Sequence, residues 1–235
     1  MAVAKKHPTT EGLTAVPRPV QISMRSELQR KMIHLSSISM PIAYIWISRP
    51  AMLYFLVPLL VVALIVEFMR WRVPAVESFI RKLFGQMLRE HEKEGVKKIS
   101  GATYVILSAT ICVFLFPKVV TIAAFAVLIV SDTASALFGR RFGRRRFLEK
   151  SVEGSSAFVV TAILVVLAVA GIYDAPWTFI AAGVVASFAA AVAEAMSYGV
   201  NIDDNLTIPL AFGAVMWGLL ALVGGPEIAA VLGAG

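Results

Sequence analysis

Apolar residues in this chain fall into long runs that short polar stretches separate. A helix needs about 20 mostly apolar residues to cross a bilayer, and the runs predict seven such helices. They cover residues 32–48, 51–68, 99–117, 119–139, 154–173, 175–200 and 205–226. The expected fold is therefore all-α: a polytopic integral membrane protein whose transmembrane domain covers residues 28–226, between a leader (1–27) and a short tail (227–235).

The polar stretches between the runs differ in length. Arg49 and Pro50 leave room only for a tight turn, so the first two helices are expected to form a hairpin. Pro117 marks the break between the third and fourth helices. Residues 70–98 form the only sizeable loop, and its mixed charges predict a surface helix that contacts anionic lipid headgroups.

Composition supports a membrane protein, because 58% of the residues are hydrophobic and only 16% are charged. Of the 22 Lys and Arg residues, six lie in the leader and its junction with the first helix, eight in the loop 70–98 and six after the fourth helix. Only Arg49 and Lys118 fall on the other side. Positive charge resists translocation, so we expect the N-terminus to lie in the cytoplasm. We expect the protein itself to lie in the cytoplasmic membrane. This clustering also argues against a nucleic-acid partner.

Ionisable residues inside membrane helices are costly and therefore mark functional sites. The predicted topology brings such residues to the cytoplasmic face, beside the arginine-rich stretch 139–150. Carboxylates that face Arg and Lys suit Mg²⁺ shared with phosphates. The single cysteine, Cys112, excludes a Cys-based metal site, and no P-loop motif is present. The residues that meet there are His34, Glu67, Asp132, Glu153, Glu194, Asp203, Asp204 and Asn205.

Four segments resemble one family. They read Arg-Lys-Met-Ile-His at 30–34, Ser-Asp-Thr-Ala-Ser-Ala-Leu-Phe-Gly-Arg-Arg-Phe-Gly at 131–143, Lys-Ser-Val-Glu-Gly at 150–154 and Asp-Asp-Asn-Leu-Thr-Ile-Pro-Leu at 203–210. This set resembles the membrane lipid kinases that use CTP, which include dolichol and polyprenol kinases, phytol kinase and the CTP-dependent diacylglycerol kinase. The likeness covers about residues 28–210.

The resemblance implies transfer of the CTP γ-phosphate to the hydroxyl of a membrane lipid alcohol, such as diacylglycerol or a polyprenol. It implies Asp132, His34 and Glu153 as catalytic residues, with Asp132 open as base or metal ligand. The Mg²⁺ ligands would be Asp132, Asp203, Asp204, Asn205 and Glu194. The implied nucleotide and phosphate site comprises Arg30, Lys31, Gly139, Arg140, Arg141, Gly143, Arg144, Lys150 and Gly154.

Two other functions remain open at this stage. A phosphatidate cytidylyltransferase shares the Asp, Gly-Arg and Lys-x-x-Glu-Gly elements but also carries a C-terminal basic-acidic signature that this sequence lacks. A lipid or solute transporter places polar groups near the midplane in repeated halves, and no repeat is visible here. The acceptor lipid, the choice of CTP over ATP and the oligomeric state also stay open.

Several candidate residues have structural alternatives. Asp132 could pair with an arginine, His34 could be purely structural, and Glu153 could stabilise the helix dipole. The stretch 203–205 could be a solvated turn whose last residue, Asn205, caps the last helix. Glu67 could pair with Arg70, and Glu194 could hydrogen-bond across the bundle.

Overall fold

The computed structural model describes residues 31–84, 99–148, 150–197, 199 and 202–233. The predicted leader 1–27, Arg30 and residues 85–98 of the loop lie outside these residues. After a helical segment at 31–36, the elements are α1 (Ser39–Tyr44), α2 (Arg49–Arg72), α3 (Pro74–Phe84), α4 (Gly101–Leu115), α5 (Lys118–Phe142), β1 (Arg146–Phe147), β2 (Lys150–Ser151), α6 (Val152–Ile172), α7 (Trp177–Met196), α8 (Asp204–Val223) and α9 (Pro226–Gly233).

Five of these helices, α2, α5, α6, α7 and α8, are long and apolar enough to cross a membrane. The all-α, membrane-spanning fold is thus confirmed in outline. Seven spans stay a prediction, because the segments expected at 32–48 and 99–117 contain shorter helices. The cytoplasmic N-terminus also stays a prediction. The apolar helix α4 is 15 residues long, and the tail 227–235 begins inside α9.

The first predicted span is interrupted between 36 and Ser39. The backbone N–H groups of Ser37 and Ile38 bond to the carbonyls of His34 and Leu35, three residues back, rather than four. Pro41 explains the break, because its ring lacks an N–H and clashes with the carbonyl four residues earlier in a continuous helix. The break lets 31–36 and α1 follow separate paths along the bundle.

Helix α5 forms the centre of the bundle. Its residues from Val119 to Phe125 are buried without interruption, and it packs against α1, α6 and α8. Pro117 precedes it with extended backbone, as the sequence predicts for a break after α4. A helix that is apolar on all sides suits burial among other helices, so α5 is the element against which the site residues are positioned.

Helix α2 lies at the edge of the bundle and packs mainly against α4. A buried polar cluster joins their ends: Glu67 accepts bonds from the Ser100 backbone N–H at 2.8 Å and the Thr103 hydroxyl at 3.0 Å. Its other oxygen pairs with the Arg70 guanidinium at 2.6 Å. The predicted pairing of Glu67 with Arg70 is confirmed, and these bonds satisfy both carboxylate oxygens.

A β-hairpin connects α5 to α6 where the sequence suggested a basic loop. Strands β1 and β2 pair antiparallel, with Arg146 opposite Ser151 and Phe147 opposite Lys150. Ser151 then caps α6, because its hydroxyl accepts the Gly154 backbone N–H at 3.1 Å. Side-chain oxygens of this kind satisfy the unpaired amides at a helix start. The hairpin thereby fixes Lys150 just before α6.

Close packing between helices yields a test of the bundle. A Cβ at Gly213 would lie 2.4 Å from the ring of buried Phe116, whereas one at Gly218 in the same helix would meet nothing within 4 Å. Gly213→Ala should therefore destabilise the protein by about 1–3 kcal/mol. Gly218→Ala should leave stability unchanged or raise it by up to about 1 kcal/mol. Thermal unfolding in detergent measures both; equal effects would contradict the packing.

Candidate functional site

Asp132 lies in α5 and forms an ion pair with Lys31 from the segment 31–36. Both side chains are only 6% exposed. The His34 Nε2 atom lies 3.8 Å from the same carboxylate oxygen. Lys31 and His34 are three residues apart and therefore share a helical face. The sequence suggested an arginine as the partner of Asp132, and the structure shows a lysine instead.

A second ion pair joins β2 to α7. The Lys150 Nζ atom lies 2.6 Å from Glu194 Oε1, and the Glu194 side chain is fully buried. The Ser135 hydroxyl of α5 donates to the same oxygen at 3.0 Å. The predicted hydrogen bond of Glu194 across the bundle is thus confirmed. Ser135 lies one turn after Asp132, so one face of α5 contributes to both pairs.

The two pairs belong to one electrostatic cluster. Burial alone would lower the pKa of Lys150, but the carboxylates of Glu194, Asp204 and Asp132 outweigh it, so the pKa lies above its ordinary value. Lys150 is therefore an ammonium ion at any physiological pH. Asp204 at the start of α8 also acts electrostatically on Asp132 and His34. Five separate elements thus supply one group of opposed charges: the segment 31–36, α5, β2, α7 and α8.

The turn before α8 caps the helix, but through its first residue rather than through its last residue, Asn205, as the sequence suggested. Asp203 caps the helix, because its Oδ1 accepts the Asn205 backbone N–H at 3.0 Å and the Asn205 amide at 2.6 Å. Asn205 is nearly buried, and a Cβ at Gly101 of α4 would lie 3.3 Å from its amide nitrogen. The cap holds Asp204 beside the charged cluster.

Buried polar atoms without a hydrogen-bond partner among the described residues concentrate around this cluster. Orphaned polar atoms cost about 1–3 kcal/mol each, so their accumulation indicates a place for polar ligands or water. His34 and Glu194 are among them, each through one atom. The atoms are His34 Nε2, Ser131 Oγ, Ser155 Oγ, Glu194 Oε2 and Thr207 Oγ1.

The glycines that the resemblance placed at a phosphate site also bring α5 and α6 together. A Cβ at Gly154 would lie 3.0 Å from the Ser135 carbonyl oxygen and 3.1 Å from the Gly139 Cα. At Gly143, just after α5, it would lie 2.9 Å from the Ser151 hydroxyl oxygen of the hairpin. Larger residues would separate the helices, so these glycines set the distance between Ser135 and the hairpin that carries Lys150.

The basic stretch after Gly139 is largely exposed. Arg141 and Arg144 are exposed, and the Arg141 guanidinium lies 5.5 Å from the Phe142 ring centroid. Arg140 is partly buried at the end of α5. Glu153 binds this stretch through the Arg144 and Arg145 backbone N–H groups, at 3.0 and 3.4 Å. Its observed contacts are with the loop backbone.

The donor set fits Mg²⁺ only as an ion shared with a ligand. Within the described residues, no three His, Cys, Asp or Glu side chains are grouped to hold a metal by themselves. Mg²⁺ commonly takes one or two carboxylates and completes its shell with water and substrate phosphates. Asp132 and Asp204 provide that minimum, and Lys31 and Lys150 provide charges that attract phosphate.

Comparison with known proteins identifies two distant relatives. The chain is 28% identical over 186 residues to an uncharacterized protein of Rickettsia prowazekii, RP860, covering 79% of this chain and 91% of that protein. It is 24% identical over 209 residues to CTP-dependent diacylglycerol kinase 1 of Saccharomyces cerevisiae, covering 79% and 71%. No protein-family model matches the chain, and no solved structure matches it. The yeast relative supports the resemblance to CTP-dependent lipid kinases.

The cluster contains residues that the sequence singled out and others that it did not. Lys31, His34, Asp132, Lys150, Glu194 and Asp204 meet as described. Arg30 lies outside the described residues. Ser131, Ser135, Ser155 and Thr207 were not predicted; the available signal was their position within or beside the segments 131–143, 150–154 and 203–210.

The Lys150–Glu194 pair can be tested by stability. Lys150→Met leaves the fully buried Glu194 without its cation and should cost about 3 kcal/mol. Adding Glu194→Gln removes that buried charge, so the double variant should recover at least about 1 kcal/mol. Exposed Arg72→Met is the control, with an expected change within about 0.5 kcal/mol. If the stability losses of Lys150→Met and Glu194→Gln simply added in the double variant, the two side chains would not interact.

Proposed function

We propose that this protein is a membrane lipid kinase that transfers the γ-phosphate of CTP to the hydroxyl of a lipid alcohol. The observation that carries the proposal is the buried cluster in which Lys31 and Lys150 face Asp132, Glu194 and Asp204. The similarity to the yeast kinase favours CTP as donor and diacylglycerol as one acceptor to test.

Phosphoryl transfer depends mainly on positioning and on neutralising phosphate charge. In the proposal, Lys31 and Lys150 contact the nucleotide phosphates, because they are the described cations closest to the carboxylates. Each is now paired with a carboxylate, and a phosphate oxygen offers the same charge-assisted bond. Arg140, Arg141 and Arg144 extend the positive region beyond the cluster and attract the nucleotide over a longer range.

Asp132 and Asp204 would hold the Mg²⁺ together with the phosphates, with Asn205 and Asp203 supporting Asp204 from the helix cap. When bound, the metal would neutralise charge that develops on the transferring phosphate. Glu194 stays a candidate ligand, because its Oε2 has no partner among the described residues.

The lipid hydroxyl loses a proton during transfer, and a proton acceptor must lie within hydrogen-bond reach. We assign this role to the Asp132–His34 pair. The Nε2 atom of His34 is buried, lies 3.8 Å from Asp132 Oδ2 and has no hydrogen-bond partner among the described residues. Neutral His34 can therefore accept a hydrogen bond from the substrate hydroxyl there. For Glu153 we propose a positioning role, in which it orients the arginine loop through the two backbone contacts.

The decisive experiment follows labelled phosphate into lipid. Protein reconstituted with diacylglycerol and a polyprenol receives Mg²⁺ and CTP labelled at either the γ- or the α-phosphate. We expect label in extracted lipid only from the γ position, as for a kinase. Label only from the α position would make the protein a cytidylyltransferase. No label from either, with ATP also negative, would overturn an enzymatic role and favour transport.

Asp132→Asn tests the site itself. Loss of the carboxylate should lower turnover at least roughly 100-fold, because base and metal-ligand roles both require its charge. Asp174→Asn, an exposed carboxylate in the turn between α6 and α7, should retain full turnover. Size-exclusion profiles and unfolding temperatures establish that both variants fold. Full activity in folded Asp132→Asn protein would remove Asp132 from the reaction.

A further inference from the structure

Two buried tyrosine hydroxyls lie at the other end of the bundle, away from the charged cluster. Tyr44 at the end of α1 is fully buried, and Tyr173 follows α6. Neither hydroxyl oxygen has a hydrogen-bond partner among the described residues. The two lie close enough to interact electrostatically. Because orphaned buried hydroxyls are costly, two together indicate an acceptor that binds between them.

Two cations adjoin these hydroxyls. The Lys118 Nζ atom lies 5.7 Å from the Tyr44 ring centroid, and Arg49 lies within electrostatic range of the Tyr44 hydroxyl. Arg49 donates to the Phe114 carbonyl, which uses only part of its five N–H donors. Arg49 and Lys118 are the two Lys and Arg residues that the sequence places on the predicted non-cytoplasmic side of the membrane, where positive charge is otherwise avoided. The exposed carboxylate of Asp174 follows Tyr173 in the chain.

Two helices also begin here. Arg49 opens α2 and Lys118 opens α5, and neither start carries a side-chain cap in the described part of the chain. The first amides of a helix are unpaired, and the helix dipole makes them attractive to anions. Two cations and two phenols thus lie at one end of the bundle beside two uncapped helix starts. This set of donors suits a phosphate oxygen better than a neutral acceptor.

The surrounding surface places this region at lipid headgroup level. Trp46 and Trp177 flank it in the chain and are 77% and 75% exposed. Exposed tryptophans concentrate at membrane–water interfaces. Lys118 also lies fourteen residues before Asp132 in α5, or about 21 Å along a helix axis. The region is therefore separate from the proposed kinase site and lies where phospholipid phosphates reside.

We propose that Tyr44, Tyr173, Arg49 and Lys118 bind the phosphate of an anionic phospholipid headgroup at the membrane face opposite the kinase site. The two phenols donate to the phosphate oxygens, and the cations neutralise its charge. Such a lipid would hold together α1, α2, α5 and α6 at this end. The proposal does not depend on the reaction that the charged cluster performs.

The test measures lipid binding to purified, delipidated protein in an uncharged detergent. Phosphatidylglycerol is titrated in, and bound lipid is counted by native mass spectrometry alongside the unfolding temperature. Tyr44→Phe/Tyr173→Phe should weaken binding at least roughly tenfold, because two hydrogen bonds to a charged group are lost. Without lipid the same variant should be as stable as the parent or more so, since it removes two orphaned hydroxyls.

Controls separate this site from general lipid association. Tyr54→Phe removes a hydroxyl from a side chain that is 82% exposed in α2, and should leave binding unchanged. Arg49→Gln should weaken binding, whereas Arg72→Gln at the opposite end of α2 should not. Unchanged phosphatidylglycerol binding in both the double tyrosine variant and Arg49→Gln would overturn the proposal. If inorganic phosphate raised the unfolding temperature as much as phosphatidylglycerol does, the site would bind free phosphate, and the lipid as the source of the phosphate group would be overturned.

Discussion

Asp132 is charged and lies within the most buried helix, and its pairing with Lys31 is the interaction on which the site depends. A lone carboxylate in such surroundings costs several kcal/mol. The chain meets this cost by folding the segment 31–36 against α5 and by placing Lys150 nearby, whereas the carboxylate of Asp204 opposes the charge of Asp132. Each carboxylate therefore limits where its cation lies, and the cations in turn form the region that we propose for phosphate.

Backbone spacing provides the second constraint. Gly139 and Gly154 bring α5 and α6 into contact, and Ser151 caps α6 directly after the hairpin. Lys150 thus approaches Glu194 because two glycines and one cap fix the approach of its strand. A motif that resembles a phosphate-binding sequence is here also a packing motif, so substitutions at its glycines are expected to alter the geometry of the site before they alter any direct contact with nucleotide.

Hydrophobic runs predicted the five long helices closely, because a membrane span has a minimum length that sequence shows directly. They failed to predict the break before α1, where Pro41 and local backbone bonds decide the structure. They also failed to predict the hairpin, because its two-residue strands are too short to show a periodicity. The charged cluster was predictable as a meeting of helix ends. Its pairing was not, because Lys31–Asp132 and Lys150–Glu194 depend on helix rotation, which composition and periodicity leave undetermined.

In the proposed mechanism, the two ion pairs adjoin one nucleotide site. An experimental structure of the protein with Mg²⁺ and a CTP analogue whose β–γ bridge cannot be cleaved would test this arrangement. We expect phosphate density between Lys31 and Lys150, with both lysines turned from their carboxylates toward it. Nucleotide bound elsewhere on the chain, with both ion pairs intact, would contradict it.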